Sequence, residues 1–336
     1  MNAWPVMSES EETQAALGAA LRAGQGTGAR LERWTAHPLS KRGKRRAVRY
    51  DLETRMTGVA AAGHQECVGK FYERDADARR TAAVLRQLAG ADFRRGGDLV
   101  IQGVLGYHAP LRLLLLTYEP GESVIAATAR EPARVLPAIG RGLAALHALP
   151  VCLEETTSVT AVLEGLRRRI DDLATRFPGE GDLLREILRA LERVAPRDPV
   201  PAAFLHGDLG PAQILWQAGR IVMLDFDKCT LGDAAMDLAN LFVQLRRLTR
   251  RKPGKLPALD DLRRGILVGY GRHSGRDAGL IERIGWYEAV MLVRKIQFLA
   301  ADRTRHPEAG KVEQRQAEVI GLLSELPTLV RSACDR

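Results

Sequence analysis

Apolar and polar residues alternate through most of residues 30 to 118, whereas from residue 131 onward apolar residues recur at spacings of three and four. That change of period, from the strand repeat to the helical one, confines the chain to a β-rich first part and a helical second part. Strands are expected at residues 30 to 38, at RAVRYDLETR (46 to 55) and at QECVGKFYE (65 to 73), forming a three-stranded antiparallel start. A helix follows, with Asp75 as N-cap, Thr81, Val84, Leu85 and Leu88 on one face, and Gly90 as its end. Two more strands, 99 to 107 and 112 to 118, stop at Glu119-Pro120-Gly121. Helices are expected at 131 to 149, 158 to 176, 180 to 195, 233 to 249, 258 to 272, 278 to 304 and 310 to 325, interrupted by a β island at 203 to 227. The fold class is therefore α+β in two lobes: a small five-stranded antiparallel lobe with one helix (30–119) and a large helical lobe (120–336), preceded by a flexible segment (1–29).

The β island carries the chemistry. Its sequence, FLHGDLGPAQILWQAGRIVMLDFDKC (204 to 229), places Asp208 after His206-Gly207, Gln213 five residues later, and Asp225 at the end of the apolar run Val222-Met223-Leu224. Phosphoryl transfer from a nucleotide asks for these types: one carboxylate beside the attacking hydroxyl, and an amide oxygen and a second carboxylate on Mg²⁺. A carboxylate leaving a buried strand is costly unless it is paired or bound to metal, which favours Asp225 as a metal ligand. Asp208 is read as the base or hydroxyl-orienting group, since the alternative, a loop cap, leaves the spacing to Gln213 and Asp225 unexplained. His206 is read as a structural residue shaping the loop. Asp227 either approaches a second metal or caps the following loop, and both readings stay open.

The segment resembles the catalytic and metal-binding loops of the aminoglycoside phosphotransferase and choline kinase-like family, small-molecule kinases with a protein-kinase-like fold. HGD-x4-Q followed by LDFD is the specific part, although Gln213 stands where the commoner family pattern has Asn. The similarity extends over about residues 30 to 300, through VGKFY, LLLLTYEPG, LAALH and GDAAMDLANL. It implies that Lys70 contacts phosphate, that backbone near Tyr118 and Glu119 holds the base, and that Asp237 ties its helix to the catalytic loop. Asp233 is read as that helix's N-cap. It also implies ATP or GTP with Mg²⁺ as cofactors and a nucleotide held between the lobes. Asp77 is the expected carboxylate partner of Lys70, because Glu73 falls on the opposite strand face. The loop PLSKRGKRR (38 to 46) has no GxGxxG and reads mostly as a solvated basic turn, with Ser40, Gly43 and Lys44 as candidate phosphate contacts.

Composition narrows the alternatives. The 50 basic and 41 acidic residues leave a net charge of +9, which allows an anionic partner without naming one. Aromatic residues make up only 5% and are not interleaved with the basic ones, which argues against a nucleic-acid stacking surface. No run is apolar for long enough to span a bilayer, and four scattered cysteines without CxxC spacing fit a reducing cytoplasm. Protein kinase activity is disfavoured because Asp225-Phe226-Asp227 replaces DFG and no APE-like segment follows. The expected activity is ATP-dependent phosphorylation of a small-molecule hydroxyl; the alternative is a non-catalytic, kinase-like nucleotide-binding protein. In this fold the acceptor pocket is built largely from the part after Asp225. Residues 228 to 336 carry 20 Lys and Arg against 13 Asp and Glu, so the acceptor is expected to be neutral or anionic.

Overall fold

The computed structural model describes residues 9–39, 46–58, 62–90, 97–197, 202–272, 279–301 and 309–335. It is mixed α+β and forms two compact units, the first ending at Glu122 but also taking in Leu215–Asp227, the second comprising Ser123–Ile214 and the chain from Lys228 onward.

The first unit is organised by strand alternation. Strands β1 (Ala29–Pro38), β2 (Arg46–Met56) and β3 (Ala62–Phe71) form an antiparallel meander. β6 (Leu113–Thr117) joins the far edge of β3 and β5 (Val104–His108) follows it, giving a five-stranded sheet of order β1-β2-β3-β6-β5. Val48, Tyr50 and Leu52 on β2 share one buried face with Cys67, Phe71, Leu113 and Leu115. That face is covered by helix α1 (Glu11–Gln25), through Ala16 and Leu17. The helix occupies Glu11–Gln25, within the 1–29 segment expected to be flexible. Ser10 caps it, its hydroxyl accepting from the Thr13 N–H, and two glutamates in the first turn complement the helix dipole. On the other face of β3, in register with Leu114, lies Lys70.

The strand expected at 99 to 107 is two strands in two sheets. At the break, the Gly103 N–H donates to Thr117 Oγ1 (2.8 Å) and Gln102 Nε2 donates to the Thr117 carbonyl (3.0 Å), turning the chain. β4 (Leu99–Ile101) thereby leaves the main sheet and pairs in parallel with β11 (Arg220–Met223), in the order β4-β11-β10-β7, where β10 is Ile214–Gln217 and β7 is Glu122–Ser123. This pairing is why the second half of the β island, expected within the helical part, belongs to the first unit. The β10–β11 hairpin turns at Ala218 and Gly219, both with positive φ (47° and 93°), the conformation that matches strand twist in a two-residue loop. Helix α2 (Asp75–Gly90) starts where expected, but the Asp75 carboxylate is taken by the Tyr107 hydroxyl and Arg79.

The second unit is helical. It comprises α3 (Val124–Arg130), α4 (Pro132–His147), α5 (Val159–Arg176), α6 (Gly181–Arg193), α7 (Ala235–Arg251), α8 (Leu259–Gly271), α9 (Leu280–Ala301) and α10 (Ala309–Cys334). A small sheet of β8 (Thr156–Thr157), β12 (Thr230–Asp233) and β9 (Ala202–Leu205) stands among them. α4 and α8 touch backbone to backbone: a Cβ on Gly140 would lie 2.0 Å from the Ile266 carbonyl oxygen, and one on Gly269 would lie 2.0 Å from that of Pro137. This contact brings His147, the last residue of α4, against Tyr270. α9 is buried on most sides, with Trp286 donating to the Leu191 carbonyl (2.8 Å) and the buried Glu288 paired with Arg263 of α8.

Candidate active site

In the first unit, β3 and the end of the β10–β11 hairpin bring three charges together. Lys70 Nζ donates to Asp225 Oδ1 and to Asp227 Oδ1, each at 2.8 Å. The Tyr72 hydroxyl donates to the same Asp227 oxygen at 2.8 Å. Burial opposes the charge on Lys70, but Tyr72, Asp225 and Asp227 outweigh it and hold the ammonium above its ordinary value. The Tyr72 phenol is pushed up, first by burial. Asp225 has a φ of +72°, left-handed backbone that a residue with a side chain adopts at a cost. Such strain persists where surrounding structure over-determines it, typically at functional sites. Two carboxylates already arranged about one positive charge are hard oxygen donors of the kind that suits Mg²⁺.

Lys70 therefore pairs with Asp225 and Asp227 and not with the expected Asp77, whose carboxylate is engaged by Arg74 (2.9 Å). Helix-face spacing placed Asp77 correctly on α2 but carried no information on where a hairpin 150 residues later would end. Tyr118 and Glu119 follow β6, where Arg49 lies 5.7 Å from the Tyr118 ring centre and Thr117 Oγ1 donates to Glu119 (2.7 Å). Ser40, Gly43 and Lys44 lie outside the described residues.

In the second unit, the loop after β9 carries Asp208 and Gln213 and is fastened to one face of α7. Asp237 Oδ2 accepts from the His206 N–H (2.7 Å) and Oδ1 from the Gly207 N–H (3.0 Å). Asn240, three residues on, donates to the Leu209 carbonyl (2.8 Å), and Gln244, a further turn along, packs against Gly210. Gly207 has φ +78°, and a Cβ there would lie 2.0 Å from the Lys228 carbonyl oxygen, so only glycine lets the loop pass. Gln213 closes a 3-10 turn, Pro211–Gln213, with its amide oxygen near Gly210, where a Cβ would come within 3.2 Å of it. The buried His206 is held through its backbone N–H.

Asp237 is itself supported. His147 Nε2 lies 3.3 Å from Asp237 Oδ2 and His147 Nδ1 lies 2.9 Å from the Tyr270 hydroxyl. An ionised carboxylate only accepts, so Nε2 carries the proton. Burial works against ionisation of Asp237, yet the donors and charge of His147 and His206 outweigh it and hold the carboxyl below its ordinary value. Asp233, at the end of β12, accepts from the Ala235 N–H (3.0 Å) at the start of α7 and from Arg283 (2.7 Å).

Asp208 is exposed at the tip of this loop and opens on a cavity of about 190 Å³ within the second unit, bordered by α7 and α9. Sequence reasoning missed Tyr72, Asn240, Gln244 and Lys295. The positions of Asp237, Asn240 and Gln244, three and four apart, are the signal that marks one helix face docked on the loop. Among the described residues, no three His, Cys, Asp or Glu side chains cluster in the manner of an all-protein metal site.

Solved structures share this fold. A choline/ethanolamine kinase family protein from Mesorhizobium loti has a TM-score of 0.60 at 18% identity, covering 98% of this chain and 100% of its own. A macrolide 2'-phosphotransferase from Brachybacterium faecium has a TM-score of 0.53 at 19% identity, covering 92% and 98%. An amicoumacin kinase in complex with AMP-PNP and Ca²⁺ has a TM-score of 0.60 at 16% identity, covering 97% and 96%. No curated protein sequence matches the chain. The sequence profile of the APH phosphotransferase enzyme family matches residues 50–280, more than half of the chain. With that match and this fold, the chain belongs to the APH phosphotransferase enzyme family.

Proposed function

We propose that this protein is a kinase that transfers the γ-phosphoryl group of ATP, or of GTP, to a hydroxyl of a small neutral or anionic molecule. The observation that carries the reading is the bridge from Lys70 Nζ to both Asp225 and Asp227 at 2.8 Å. In protein kinases a strand lysine, ion-paired with a carboxylate, positions the nucleotide phosphates while a separate Asp holds Mg²⁺, so Lys70 with Asp225 and Asp227 offers both kinds of group. Lys70 is assigned to the phosphates, and backbone near Tyr118 and Glu119 to the base. Ser40, Gly43 and Lys44 remain assigned as further phosphate contacts. Asp225 and Gln213 are assigned as oxygen ligands of Mg²⁺, which when bound would neutralise phosphate charge. Asp208 orients the acceptor hydroxyl and accepts its proton, while positioning and charge stabilisation supply most of the acceleration. Four free cysteines fit the cytoplasm as its compartment, and among the described residues no helix is long and apolar enough to cross a membrane.

The deciding experiment is a screen of Mg²⁺-dependent ATP consumption against sugars, hydroxy acids, amino alcohols, aminoglycosides and macrolides, with phosphorus NMR of the product. Acceptor-dependent ADP release together with a new phosphate monoester is expected. ATP binding without acceptor-dependent release for any class would replace the reading with a non-catalytic nucleotide-binding protein.

The Lys70 bridge makes a separate prediction. Lys70→Met leaves Asp225 and Asp227 facing each other without their shared cation. Breaking a buried pair costs about 3–5 kcal/mol. Because the Asp225 side chain is 32% exposed, a loss of about 2 kcal/mol is expected in metal-free urea unfolding. Added millimolar Mg²⁺ is expected to restore part of it by binding the folded carboxylates, and to do less for the parent. Unchanged stability would show that the bridge contributes nothing.

A further inference from the structure

Among the described residues, the cavity at Asp208 is short of negative charge. Its wall from α9 presents Arg294 and Lys295, with Met291 and Phe298 one turn away on either side. Lys295 is only partly exposed and stands 4.9 Å from the centre of the Phe298 ring. A half-buried ammonium is costly unless something offsets it. Among the described residues, neither Arg294 nor Lys295 is in a salt bridge, whereas the arginines of α7 take the carboxylates of α10: Arg247 pairs with Glu318 (2.8 Å) and Arg246 with Glu325 (3.2 Å). Among the described residues, the cavity wall thus carries two cations and one carboxylate, Asp208 itself. Burial first, then the charge of Arg247, pull Lys295 down to about 8, with Arg294 adding to the fall and Asp208 and Glu318 opposing it.

Resting on the kinase reading, we propose that the acceptor bears an anionic group, a carboxylate or a phosphate, which Lys295 and Arg294 hold while its hydroxyl lies at Asp208. A cationic acceptor would meet two like charges there, whereas an anionic one supplies the missing partner. Asn240 and Gln244 line the same cavity and offer amide groups to further hydroxyls. At about 190 Å³ the cavity is below the roughly 300–1,000 Å³ of sites that enclose drug-sized ligands, so it suits a small acceptor or the reacting end of a larger one. In the transfer, the acceptor oxygen bonds to the γ-phosphorus and the bond from that phosphorus to the β–γ bridging oxygen breaks. The hydroxyl proton passes to Asp208, and a phosphate monoester and the nucleoside diphosphate leave.

The test compares probes of similar size and different charge: D-glycerate, glycerol 3-phosphate, glycerol and ethanolamine. Steady-state kinetics are run with the parent, Lys295→Met and Lys295→Arg, and calorimetric binding of each probe is measured without nucleotide. The better anion is expected to exceed glycerol at least tenfold in kcat/KM and ethanolamine by more, and the two anions separate carboxylate from phosphate. Lys295→Met should raise KM for the anion at least tenfold while changing kcat little, and Lys295→Arg should keep the preference. Between pH 7 and 9 the parent's KM for the anion should rise as Lys295 loses its proton, while that of Lys295→Arg stays flat. Transfer to glycerol or ethanolamine in preference to the anions, or an anion preference that survives Lys295→Met, overturns the proposal and leaves the kinase reading standing. Anion binding that depends on Lys295, with no acceptor-dependent ADP release from these probes or from any class in the wider screen, upholds the anion subsite and removes the kinase reading.

Discussion

Asp208→Asn is expected to lower kcat by about 10²- to 10⁴-fold, the range that a positioned proton acceptor contributes, while leaving the affinity for ATP within about threefold of the parent. The structure separates these two quantities. Asp208 is exposed at the loop tip. The fastening of the loop runs through the amides of His206 and Gly207 and the carbonyl of Leu209, all of which the substitution leaves in place. Stability should therefore stay within about 0.5 kcal/mol of the parent, as for other surface substitutions. Asn keeps the size and one acceptor oxygen but cannot take a proton at neutral pH, so the loss falls on the chemical step. Coupled assay of ADP release gives kcat, and titration with a non-hydrolysable ATP analogue gives the affinity. Near-normal turnover would remove Asp208 from catalysis, and an equal loss of ATP affinity would make it a nucleotide ligand.

Local pattern carried the elements of this fold further than it carried their partners. The alternation in RAVRYDLETR became the inward row Val48, Tyr50 and Leu52, because a half-buried sheet dictates that period wherever the strand pairs. Helix α1 escaped notice since its buried stripe is made of Ala16, Leu17 and Leu21 within an Ala- and Gly-rich stretch, a weak contrast against its polar side. The division of residues 99 to 108 between two sheets depends on Thr117, whose Oγ1 accepts from the Gly103 N–H and whose own N–H donates to the Gly103 carbonyl, a contact made across a fold and absent from any local window. The same distinction runs through the site. Asp208, Gln213 and Asp225 could be singled out as candidates because one short segment carries all three. Lys295 was not, because a lysine on an amphipathic helix reads as solvated surface until the packing of α9 beside the Asp208 loop is known. The mistaken choice of Asp77 for Lys70 has this origin too: a face can be assigned from spacing, but a long-range ion pair cannot.

Asp237→Ala is expected to destabilise the second unit by about 3–5 kcal/mol and to lower kcat as well, because one buried carboxylate fastens both the fold and the loop. Asp237 is 1% exposed and accepts from two backbone N–H groups and from His147. Removing it leaves the His206 N–H without its acceptor at a buried position and His147 with Tyr270 alone. The backbone contact of α4 with α8 prevents His147 from moving to another partner, since Gly140 and Gly269 hold those helices at their closest approach. The Gly207 N–H is lost from the same anchor, so the loop gains freedom beside Asp208 and the hydroxyl is held less well. Asp237→Asn, which keeps one acceptor but turns an N–H toward a donor, should fall between Ala and the parent. The carboxyl is held below its ordinary value, so its contribution is fully present above the unfolded value of about 3.9 and is lost as pH falls through the lower folded value. The gap in unfolding free energy between parent and Asp237→Asn should accordingly be constant from about pH 5 to neutrality and close below about pH 4. Urea unfolding across that range reads both magnitude and sign. A gap that stays constant down to pH 3 would show that the charge of Asp237 is not what holds the loop.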